Sequence, residues 1–417
     1  MATALWGRVL FRDDLAGTLQ QDPSGRYVFT YDPAYLAQEP ANAIAHTLPL
    51  REEPFISEVG LHPFFDNLVA EGWFQNAQAR ALGVNPSDRF ALLLAFGRDL
   101  AGAVAVIDPA PSAQLRLDAI DPDAVAALAS RASLSGIQRK LLVVRHGNGY
   151  RPAGPNELST HIAKLPSGQL TDIVELEFLT TLASRALLPD DSIVELDISS
   201  VRGIDGPALV IPRFDRVSSG LKIHFEEFNQ LLGRRSGDDK YNGAYEDMGR
   251  FIGTTPGCLP AEADRLYRRV LTCLLLGNTD AHFKNFAMFH TRDGLRLTPA
   301  YDLVAASIYP DYQTIALSVA GARDLKISAL QPKHIVALGE GFSLPTASIM
   351  DAVAEIEKRL GVAKDTVAAS KVGTMEMRDE LISRMDKRWN GSFASIGRLL
   401  SKKQSKGGRR KTLRSSV

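Results

Sequence analysis

The chain has 417 residues, of which 45% are hydrophobic, and its formal net charge at pH 7 is zero. This length predicts two or three domains with sizeable cores, and the balanced charge argues against a protein that binds a polyanion over its whole surface. Two cysteines, Cys258 and Cys273, are too few for a disulfide framework. The sequence has no signal-peptide apolar core and no run of 18 apolar residues, so we expect a cytoplasmic protein without a membrane span.

Residues 1–110 are predicted to form a small α+β unit. An N-terminal strand leads into a turn, RYVFTYD alternates as a strand, and PFFDNLVAEGWFQNAQARALGV has the apolar spacing of a helix. FALLLAFG then indicates a buried helix and AGAVAVIDP a strand. The segment PAPSAQ, residues 109–114, is predicted to be a linker.

The rest of the chain is predicted to change from strands to helices. Residues 111–215 contain the strand patterns KLLVV, STHIAKLP, SIVELDI and ALVIPRF, and one helix, IVELEFLTTLASRALL. Helices dominate residues 216–400, except where NFAMFHTRDGLRLT predicts two short strands around an Asp293-Gly294 turn. A strand-rich lobe before a helical lobe is the layout of a two-lobed phosphotransferase, so the predicted fold class is α+β and protein-kinase-like.

The C-terminal end is strongly basic. Residues 397–417 hold eight Lys or Arg and no acidic residue. Such a segment is either a disordered, solubilising tail, which we place at residues 401–417, or a contact for nucleic acid or an acidic partner.

Phosphoryl transfer from ATP needs a loop over the phosphates, a lysine that holds them, a carboxylate that accepts the hydroxyl proton, and oxygen ligands for Mg²⁺. SLSGIQRK, residues 133–140, is a candidate loop, although it lacks G-x-G-x-x-G and also fits a polar turn that opens a strand. HIAK, residues 161–164, resembles the kinase strand V-A-I-K. Lys164 either pairs with Glu175 or Glu177 or simply points to solvent.

The segment GNTDAHFKNF carries the clearest chemical signal. Asp280 and Asn285 have the D-x-x-x-x-N spacing of the kinase catalytic loop, in which the aspartate accepts a proton and the asparagine binds Mg²⁺. One alternative is a chelate of zinc or iron by Asp280 and His282, with His290 as the nearest further ligand. The other is a capped turn whose polar side chains bind backbone groups.

Asp302, in LTPAYDLVAAS, follows the predicted strand pair, which would return the chain to the neighbourhood of Asp280. It stands where a second Mg²⁺ ligand is required, as in the kinase D-F-G motif. No glycine follows it, which argues against a mobile switch of the D-F-G type, and a helix N-cap is the alternative.

At these residues the chain resembles the HipA family, Ser/Thr protein kinases that are the toxin halves of bacterial type II toxin–antitoxin modules. SLSGIQRK, STHIAKLP, ELEF, PRFDR, GNTDAHFKNFAMF and LTPAYDL stand in the family's order, and LHPFFDNLVAEG resembles its N-terminal subdomain. The resemblance implies an N-terminal subdomain at 1–110, a kinase-like N-lobe at 111–215 with the nucleotide loop and hinge, and a helical C-lobe at 216–400.

The resemblance also implies roles for individual residues. Asp280 falls on the catalytic aspartate, and Asn285 and Asp302 fall on the magnesium ligands. PRF, at 212–214, falls on the hinge that meets adenine, although the family commonly has Glu where this chain has a proline. The implied nucleotide-binding residues are Ser135, Gly136, Ile137, Gln138, Arg139, Lys140, Lys164, Pro212, Arg213, Phe214, His282, Lys284, Asn285, Tyr301 and Asp302.

The implied activity is a Ser/Thr protein kinase that uses ATP and Mg²⁺ and also phosphorylates its own Ser133, with Ser135 as a second site. The implied substrate is an aminoacyl-tRNA synthetase, glutamyl-tRNA synthetase by default, whose modification arrests growth and causes persistence. A HipB-like helix-turn-helix antitoxin would neutralise the toxin and carry it to operator DNA. The alternatives are an inactive kinase-fold co-repressor and a metal-dependent hydrolase built on Asp280 and His282.

Overall fold

The computed structural model describes residues 5–110, 138–154, 157–168, 170–217 and 220–400. The chain divides into two compact units, each of which collects segments that are distant along the sequence. Unit 1 comprises Met1–Val174, Val194–Lys240 and Ala287–His290, and unit 2 comprises Glu175–Ile193, Tyr241–Phe286 and Thr291–Val417. Across the described ranges, no helix combines the length and the apolar character that crossing a membrane requires.

Unit 1 begins with an antiparallel sheet of five strands, in the order β4-β3-β2-β1-β5. Alternate strand positions are buried and pack with the aromatic residues of short helices in one core, as the predicted alternation requires. The strands are β1 (Trp6–Phe11), β2 (Asp14–Gln21), β3 (Tyr27–Tyr31), β4 (Phe55–Ser57) and β5 (Val104–Ile107), and the helices are α1 (Pro33–Leu36), α2 (Pro63–Leu68), α3 (Gly72–Leu82) and α4 (Arg89–Phe96).

A second sheet of unit 1 has the order β7-β6-β8-β10-β9 and contributes to the same core. Its strands are β6 (Lys140–His146), β7 (Gly149–Pro152), β8 (His161–Lys164), β9 (Asp197–Ser200) and β10 (Pro207–Pro212). The central strand β8 pairs antiparallel with both β6 and β10. Further along, β11 (Phe225–Glu227) pairs antiparallel with the first part of β12 (Ala287–Thr291), and the short helix α6 (Phe228–Leu231) follows β11.

Unit 2 is mainly helical, as predicted for the C-terminal half. It takes in α5 (Ile173–Leu187) from Glu175 onwards, together with the short strand β13 (Gly294–Leu297). Its buried helical side chains include Leu266, Val270, Ile335 and Ile349. The remaining helices are α7 (Tyr245–Thr254), α8 (Pro260–Leu276), α9 (Pro332–Gly341), α10 (Thr346–Ala368) and α11 (Met375–Arg388).

Two sequence predictions of secondary structure need correction. The single helix predicted from Pro63 onwards is two helices, because the backbone is extended at Val69 and Glu71 and turns at Gly72, whose φ of +59° favours glycine. The strand predicted over SIVELDI begins only at Asp197. Its alternating start instead supports a single bridge between Ile193 and Ala300.

Four buried charges join the two sheets of unit 1. Arg213 donates to Asp99 at 3.2 Å and to Asp215 at 2.7 Å, and Arg216 donates to both carboxylates at 2.7 Å. Asp99 also accepts from the Ser159 hydroxyl at 2.8 Å, and Asp215 accepts from the Gly102 backbone N–H at 2.9 Å. Two positive and two negative groups therefore balance at the point where residues 99–102 meet residues that adjoin β8 and β10.

We predict that Asp99→Asn lowers the free energy of unfolding by about 3–5 kcal/mol, because the substitution leaves buried positive charge without its counter-charge. Chemical denaturation measures the effect. Asp386→Asn is the matched control, since Asp386 is 44% exposed in its pair with Lys364 and its loss should cost at most about 1 kcal/mol. Equal losses in the two variants would contradict this assignment.

The same carboxylate gives a pH dependence. Burial would raise the pKa of Asp99, but the charges of Arg213 and Arg216 outweigh burial and lower this pKa to about 2. A carboxyl group with a lowered folded pKa contributes stability above its unfolded pKa of about 3.9, and this contribution disappears as the pH falls through the folded value. The stability difference between wild type and Asp99→Asn should therefore shrink as the pH falls from about 4 towards 2.

Candidate active site

The polar segment of unit 2 begins where helix α8 ends. Gly277 closes the helix in the left-handed region with φ of +77°, and its N–H donates to the carbonyl of Cys273. Asn278, Thr279 and Asp280 follow, and a short 3₁₀ turn spans Phe283–Asn285. This glycine end explains how an apolar helix gives way within one turn to a run of polar side chains.

The turn after Asp280 is fixed by its own side chains. The Oδ1 atom of Asn285 accepts from the backbone N–H of His282 at 2.9 Å, and the Nδ1 atom of His282 accepts from the N–H of Lys284 at 3.2 Å. The capped turn considered from the sequence is therefore present. It is compatible with a ligand role, because an amide oxygen has two lone pairs and the Asn285 amide nitrogen is free of this cap.

The structure brings Asn285 and Asp302 together. The Nδ2 atom of Asn285 donates to Oδ2 of Asp302 at 2.8 Å, although the two residues are 17 positions apart. The Asp302 backbone lies in the left-handed region with φ of +58°, and its carbonyl accepts from the side chain of Asn278 at 3.2 Å. The alternative of a helix N-cap at Asp302 is wrong, since no helix begins there and the next helical turn starts at Ala306.

Two tyrosines that sequence reasoning missed hold the segment around Asp280. The hydroxyl of Tyr241 donates to Oδ1 of Asp280 at 3.0 Å, and its ring lies edge-on to His282 with 5.1 Å between centroids. The hydroxyl of Tyr245 donates to the carbonyl of Ala281 at 2.8 Å. No motif in KYNGAYEDM distinguishes these tyrosines from core residues, so only the folded structure identifies them.

The nucleotide-contact positions predicted in unit 2 are also tied to this segment. The hydroxyl of Tyr301 donates to the backbone carbonyl of Lys284 at 2.8 Å. His282 and Lys284 are both buried. His282, Lys284, Asn285, Tyr301 and Asp302 thus share one hydrogen-bonded network with the segment that carries Asp280.

An arginine supports the segment from its other side. Arg388 on α11 donates to the carbonyl of Leu275 at 3.0 Å and to the hydroxyl of Ser307 at 2.6 Å, and the N–H of Ser307 donates to the carbonyl of Gly277 at 3.0 Å. Burial, followed by the nearby charge of Arg384, lowers the pKa of Arg388 to about 10. The group stays charged at neutral pH and holds the end of α8 in place.

In unit 1, two lysines face each other across neighbouring strands. Lys140 of β6 is directly opposite Lys164 of β8 in the antiparallel register. Opposed residues share a face of the sheet, and like charges in such a pair repel. Lys164 is only 3% exposed, so the alternative in which it points to solvent is wrong. The arrangement places two lysine residues side by side at one end of β8.

The predicted nucleotide loop is described only in part. The backbone N–H of Leu165 donates to the carbonyl of Arg139 at 2.9 Å, and the side chain of Gln138 donates to the carbonyl of Leu165 at 3.2 Å. These bonds hold the end of the loop against β8. Ser133, Ser135, Gly136 and Ile137, like the predicted linker from residue 111 onwards and the tail at 401–417, lie outside the described residues.

The predicted hinge ends strand β10. Arg213 donates its backbone N–H to the carbonyl of Thr160 at 2.9 Å, and its guanidinium belongs to the buried charge cluster described above. Phe214 packs edge-on against Phe225 and Phe289, with ring centroids 5.0 and 5.6 Å apart. Arg213 and Phe214 therefore support the fold through their side chains, and an adenine contact at 212–214 stays a prediction.

The proposed zinc or iron chelate on Asp280 and His282 is not formed. Among the described residues, one group of three metal-ligating side chains has its ligand atoms within 4.8 Å of one another. This group consists of His224, Glu226 and His290. Neither Asp280 nor His282 belongs to this group, and the Nδ1 atom of His282 is occupied by the N–H of Lys284. The hydrolase alternative thus loses the ligand set on which it depended.

Two family models match the chain. The model described as the HipA N-terminal domain matches residues 7–107, and the model described as the HipA-like C-terminal domain matches residues 132–402. Among curated relatives, the protein Y4dM of Sinorhizobium fredii, to which kinase activity is attributed only provisionally, is 31% identical over 82% of this chain and 87% of its own. The serine/threonine-protein kinase toxin HipA of Shewanella oneidensis is 27% identical over 78% of this chain and 80% of its own.

A solved structure shows the same fold. HipA in the complex of Shewanella oneidensis HipA, HipB and operator DNA superposes with a TM-score of 0.71 at 21% identity, covering 94% of this chain and 99% of that one. This likeness confirms the fold class expected from the sequence, an α+β fold of the two-lobed, kinase-like type.

We predict that Gly277→Ala destabilises the chain more than Gly321→Ala does. Both glycines have positive φ, of +77° and +76°, so each alanine pays about 1–2 kcal/mol for a left-handed backbone. Only at position 277 would the new Cβ meet other atoms, at 2.2 Å from the Ser307 hydroxyl and 2.3 Å from Arg388, whereas nothing lies within 4 Å at position 321. Overpacking should add about 1–3 kcal/mol at Gly277.

Urea denaturation of the two variants measures this difference directly. Because the backbone cost is common to both, the excess loss in Gly277→Ala reports the contact of Gly277 with Ser307 and Arg388. If the two variants lost the same stability, the close packing behind the Asp280 segment would be disproved.

Proposed function

The chain belongs to the HipA family, and on that premise we propose that it is an ATP-dependent serine/threonine protein kinase. The observation that carries the proposal is the hydrogen bond of 2.8 Å between Asn285 and Asp302, in the segment that also fixes Asp280. Phosphoryl transfer requires a proton acceptor and two oxygen ligands for a cation in one place. In unit 2, Asn285 is hydrogen-bonded to Asp302, and Asp280 lies five positions before Asn285 in the same polar segment, which supports these three roles.

Asp280 is the proposed catalytic residue. Its carboxylate would accept the proton of the attacking hydroxyl group, and the hydrogen bond from Tyr241 orients this carboxylate by occupying Oδ1. Tyr241 is thus a positioning residue, which acts on the reaction through Asp280. The ring of His282 packs edge-on against the ring of Tyr241 and helps to hold this tyrosine in place.

Asn285 and Asp302 fit the requirements of Mg²⁺. This hard cation prefers carboxylate and amide oxygens, usually with one or two protein ligands beside phosphate and water. Asp302 offers its carboxylate, and the Oδ1 of Asn285 keeps a lone pair beyond the one used by His282. When bound, the cation would neutralise negative charge on the phosphates. The bond between the two side chains holds both of them in position beforehand.

The lysine pair of unit 1 is the proposed site for the nucleotide phosphates. Lys140 and Lys164 stand opposite each other in the sheet, so one anionic phosphate group would accept charge-assisted hydrogen bonds from both of them. We assign the loop residues 135–140 to the same phosphates, and the segment 212–214 with His282, Lys284 and Tyr301 to the rest of the nucleotide. Arg213 would take part only through groups other than its guanidinium and its N–H, which the fold already uses.

We further assign self-regulation to Ser133 and Ser135. A phosphate on either serine carries about −1.5 to −2 charge at pH 7 and would compete with ATP for Lys140 and Lys164. Self-phosphorylation would therefore switch the kinase off. In domain terms, we assign residues 1–110 to an accessory N-terminal subdomain, 111–215 to the nucleotide-binding lobe, 216–400 to the catalytic lobe and 401–417 to a basic tail.

The proposed partners are chosen by analogy with the relatives. HipA of Shewanella oneidensis is named as a toxin kinase, and its structure contains HipB and operator DNA. By analogy we propose a cytoplasmic toxin that is neutralised by a HipB-like helix-turn-helix antitoxin, reaches operator DNA mainly through it, and arrests growth. The proposed substrate is an aminoacyl-tRNA synthetase, with glutamyl-tRNA synthetase to be tried first.

We predict that the wild-type chain transfers label from γ-labelled ATP to itself and to the synthetase in the presence of Mg²⁺. Asp280→Asn should lower the rate by about 10²–10⁴-fold, since it removes the proton acceptor. Asp302→Asn should also abolish transfer without unfolding the chain, because asparagine tolerates the φ of +58° at this position. Asp386→Asn, at a half-exposed position of α11, is the matched control and should retain wild-type activity.

Phosphopeptide mapping of the labelled chain identifies the acceptor. Label on Ser133 or Ser135 that is absent from Asp280→Asn supports the proposed self-regulation. Equal label in wild type and both active-site variants would rule out the kinase. No label in folded wild type with either acceptor would favour the inactive co-repressor.

We predict that Lys164→Met weakens the binding of Mg-ATP by about 10- to 100-fold, as expected for the loss of a hydrogen bond with a charged partner, about 1.5–3 kcal/mol. Lys140→Met should act in the same direction. Lys358→Met is the control, since this lysine on α10 is 69% exposed and should leave binding unchanged. Calorimetric titration measures all three, and unchanged affinity in both Lys140→Met and Lys164→Met would remove the lysine pair from the site.

A further inference from the structure

A second cluster of ligating side chains lies in unit 1, apart from the residues assigned to catalysis. It consists of His224, Glu226 and His290, whose nitrogen and oxygen ligand atoms all lie within 4.8 Å of one another. We call these three residues the His-Glu-His cluster. The predicted roles of the chain use neither His224 nor Glu226.

The pairing of β11 with β12 creates the cluster. Phe225 is opposite Phe289 in this antiparallel pair, and the N–H of His290 donates to the carbonyl of His224 at 3.0 Å, which extends the register by one residue. His224 and His290 are therefore opposed, and Glu226, two positions along the strand, points to the same face. Phe225 and Phe289 point to the other face and pack on Phe214.

The cluster contains buried polar atoms without partners among the described residues. His224 is 2% exposed and Glu226 is fully buried. The Nε2 atom of His224 and the Oε1 atom of Glu226 form no hydrogen bond. The other carboxylate oxygen, Oε2, accepts from the backbone N–H of His46 and contacts Nε2 of His290, both at 2.7 Å. Buried polar atoms in proteins nearly always have a hydrogen-bond partner. The Nε2 atom of His224 and the Oε1 atom of Glu226 therefore indicate a missing binding partner at this cluster.

We propose that His224, Glu226 and His290 bind a divalent transition-metal ion, for which zinc is the best match. Two imidazoles and one carboxylate form a common zinc ligand set, whereas Mg²⁺ and Ca²⁺ take oxygen ligands. Zinc bonds of about 2.0–2.2 Å would place ligand atoms about 3.4 Å apart in a tetrahedron, so the three side chains would have to move closer together. To bind through Nε2, His224 would carry its ring proton on Nδ1 and give up the hydrogen bond of 3.4 Å that Nδ1 accepts from the backbone N–H of Ala103. The side chain of His290 is 24% exposed, so solvent reaches this ligand of the cluster.

The metal would have a structural effect within unit 1. Glu226 already holds the backbone of His46, and the rings of Phe11 and Phe64 pack against His224. An ion at the cluster would link the β11–β12 pair to the N-terminal sheet and its helices. This site offers two nitrogen ligands and one carboxylate and shares no residue with Asn285 and Asp302, so the inference does not rest on the proposed kinase activity.

The test uses the full chain, freed of metal by a chelator, dialysed and titrated with ZnCl2 alone. Wild type should bind one zinc per chain by calorimetry and elemental analysis, and its melting temperature should rise on loading, because a ligand of the folded state stabilises it. His290→Gln should weaken zinc binding at least about tenfold. This residue is partly exposed, so the variant is expected to fold. Glu226→Gln should do the same while its amide oxygen still accepts from His46.

His146→Gln is the matched control, because His146 is an exposed histidine on β6, and it should bind zinc as wild type does. An excess of MgCl2 should leave zinc in place. The inference would be overturned if wild type bound no zinc in a stoichiometric amount, if His290→Gln bound it with unchanged affinity, or if Mg²⁺ displaced it.

Discussion

The hydrogen bond between Asn285 and Asp302 is the constraint on which the polar segment around Asp280 depends. It joins a turn that follows α8 to a residue that follows β13, and it holds a carboxylate in a left-handed backbone conformation. Because each partner is fixed a second time, Asn285 by His282 and Asp302 by Asn278, the pair has little freedom. Such preorganisation would lower the cost of binding the proposed cation.

Much of this segment could be predicted from the sequence, because its turns and strands are set by residues that are close together along the chain. The four residues between Asp280 and Asn285 fit one tight turn, and a short strand pair returns the chain to Asp302. Other contacts depend on tertiary packing that no local pattern encodes. The hydroxyl of Tyr241 reaches Asp280 from a 3₁₀ turn far upstream, and it carries no motif.

The register of short strands explains what sequence reasoning could and could not predict. Lys164 was selected as a candidate because HIAK is an apolar strand that ends in a charge, whereas its pairing with Lys140 required the β6–β8 register. His224 and Glu226 were overlooked because HFE shows no spacing that departs from an ordinary strand. Only the pairing with β12 brings His290 beside them, so that the ligand atoms of all three side chains lie within 4.8 Å of one another.

The buried cluster of Asp99, Asp215, Arg213 and Arg216 bears on how the gene can vary. Half of its negative charge comes from Asp99, which precedes β5, while both arginines follow β10. A truncated gene that omitted the first hundred codons would encode arginines without one of their counter-charges. The N-terminal sheet and the second sheet of unit 1 would therefore be expected to be retained, lost or exchanged together in evolution.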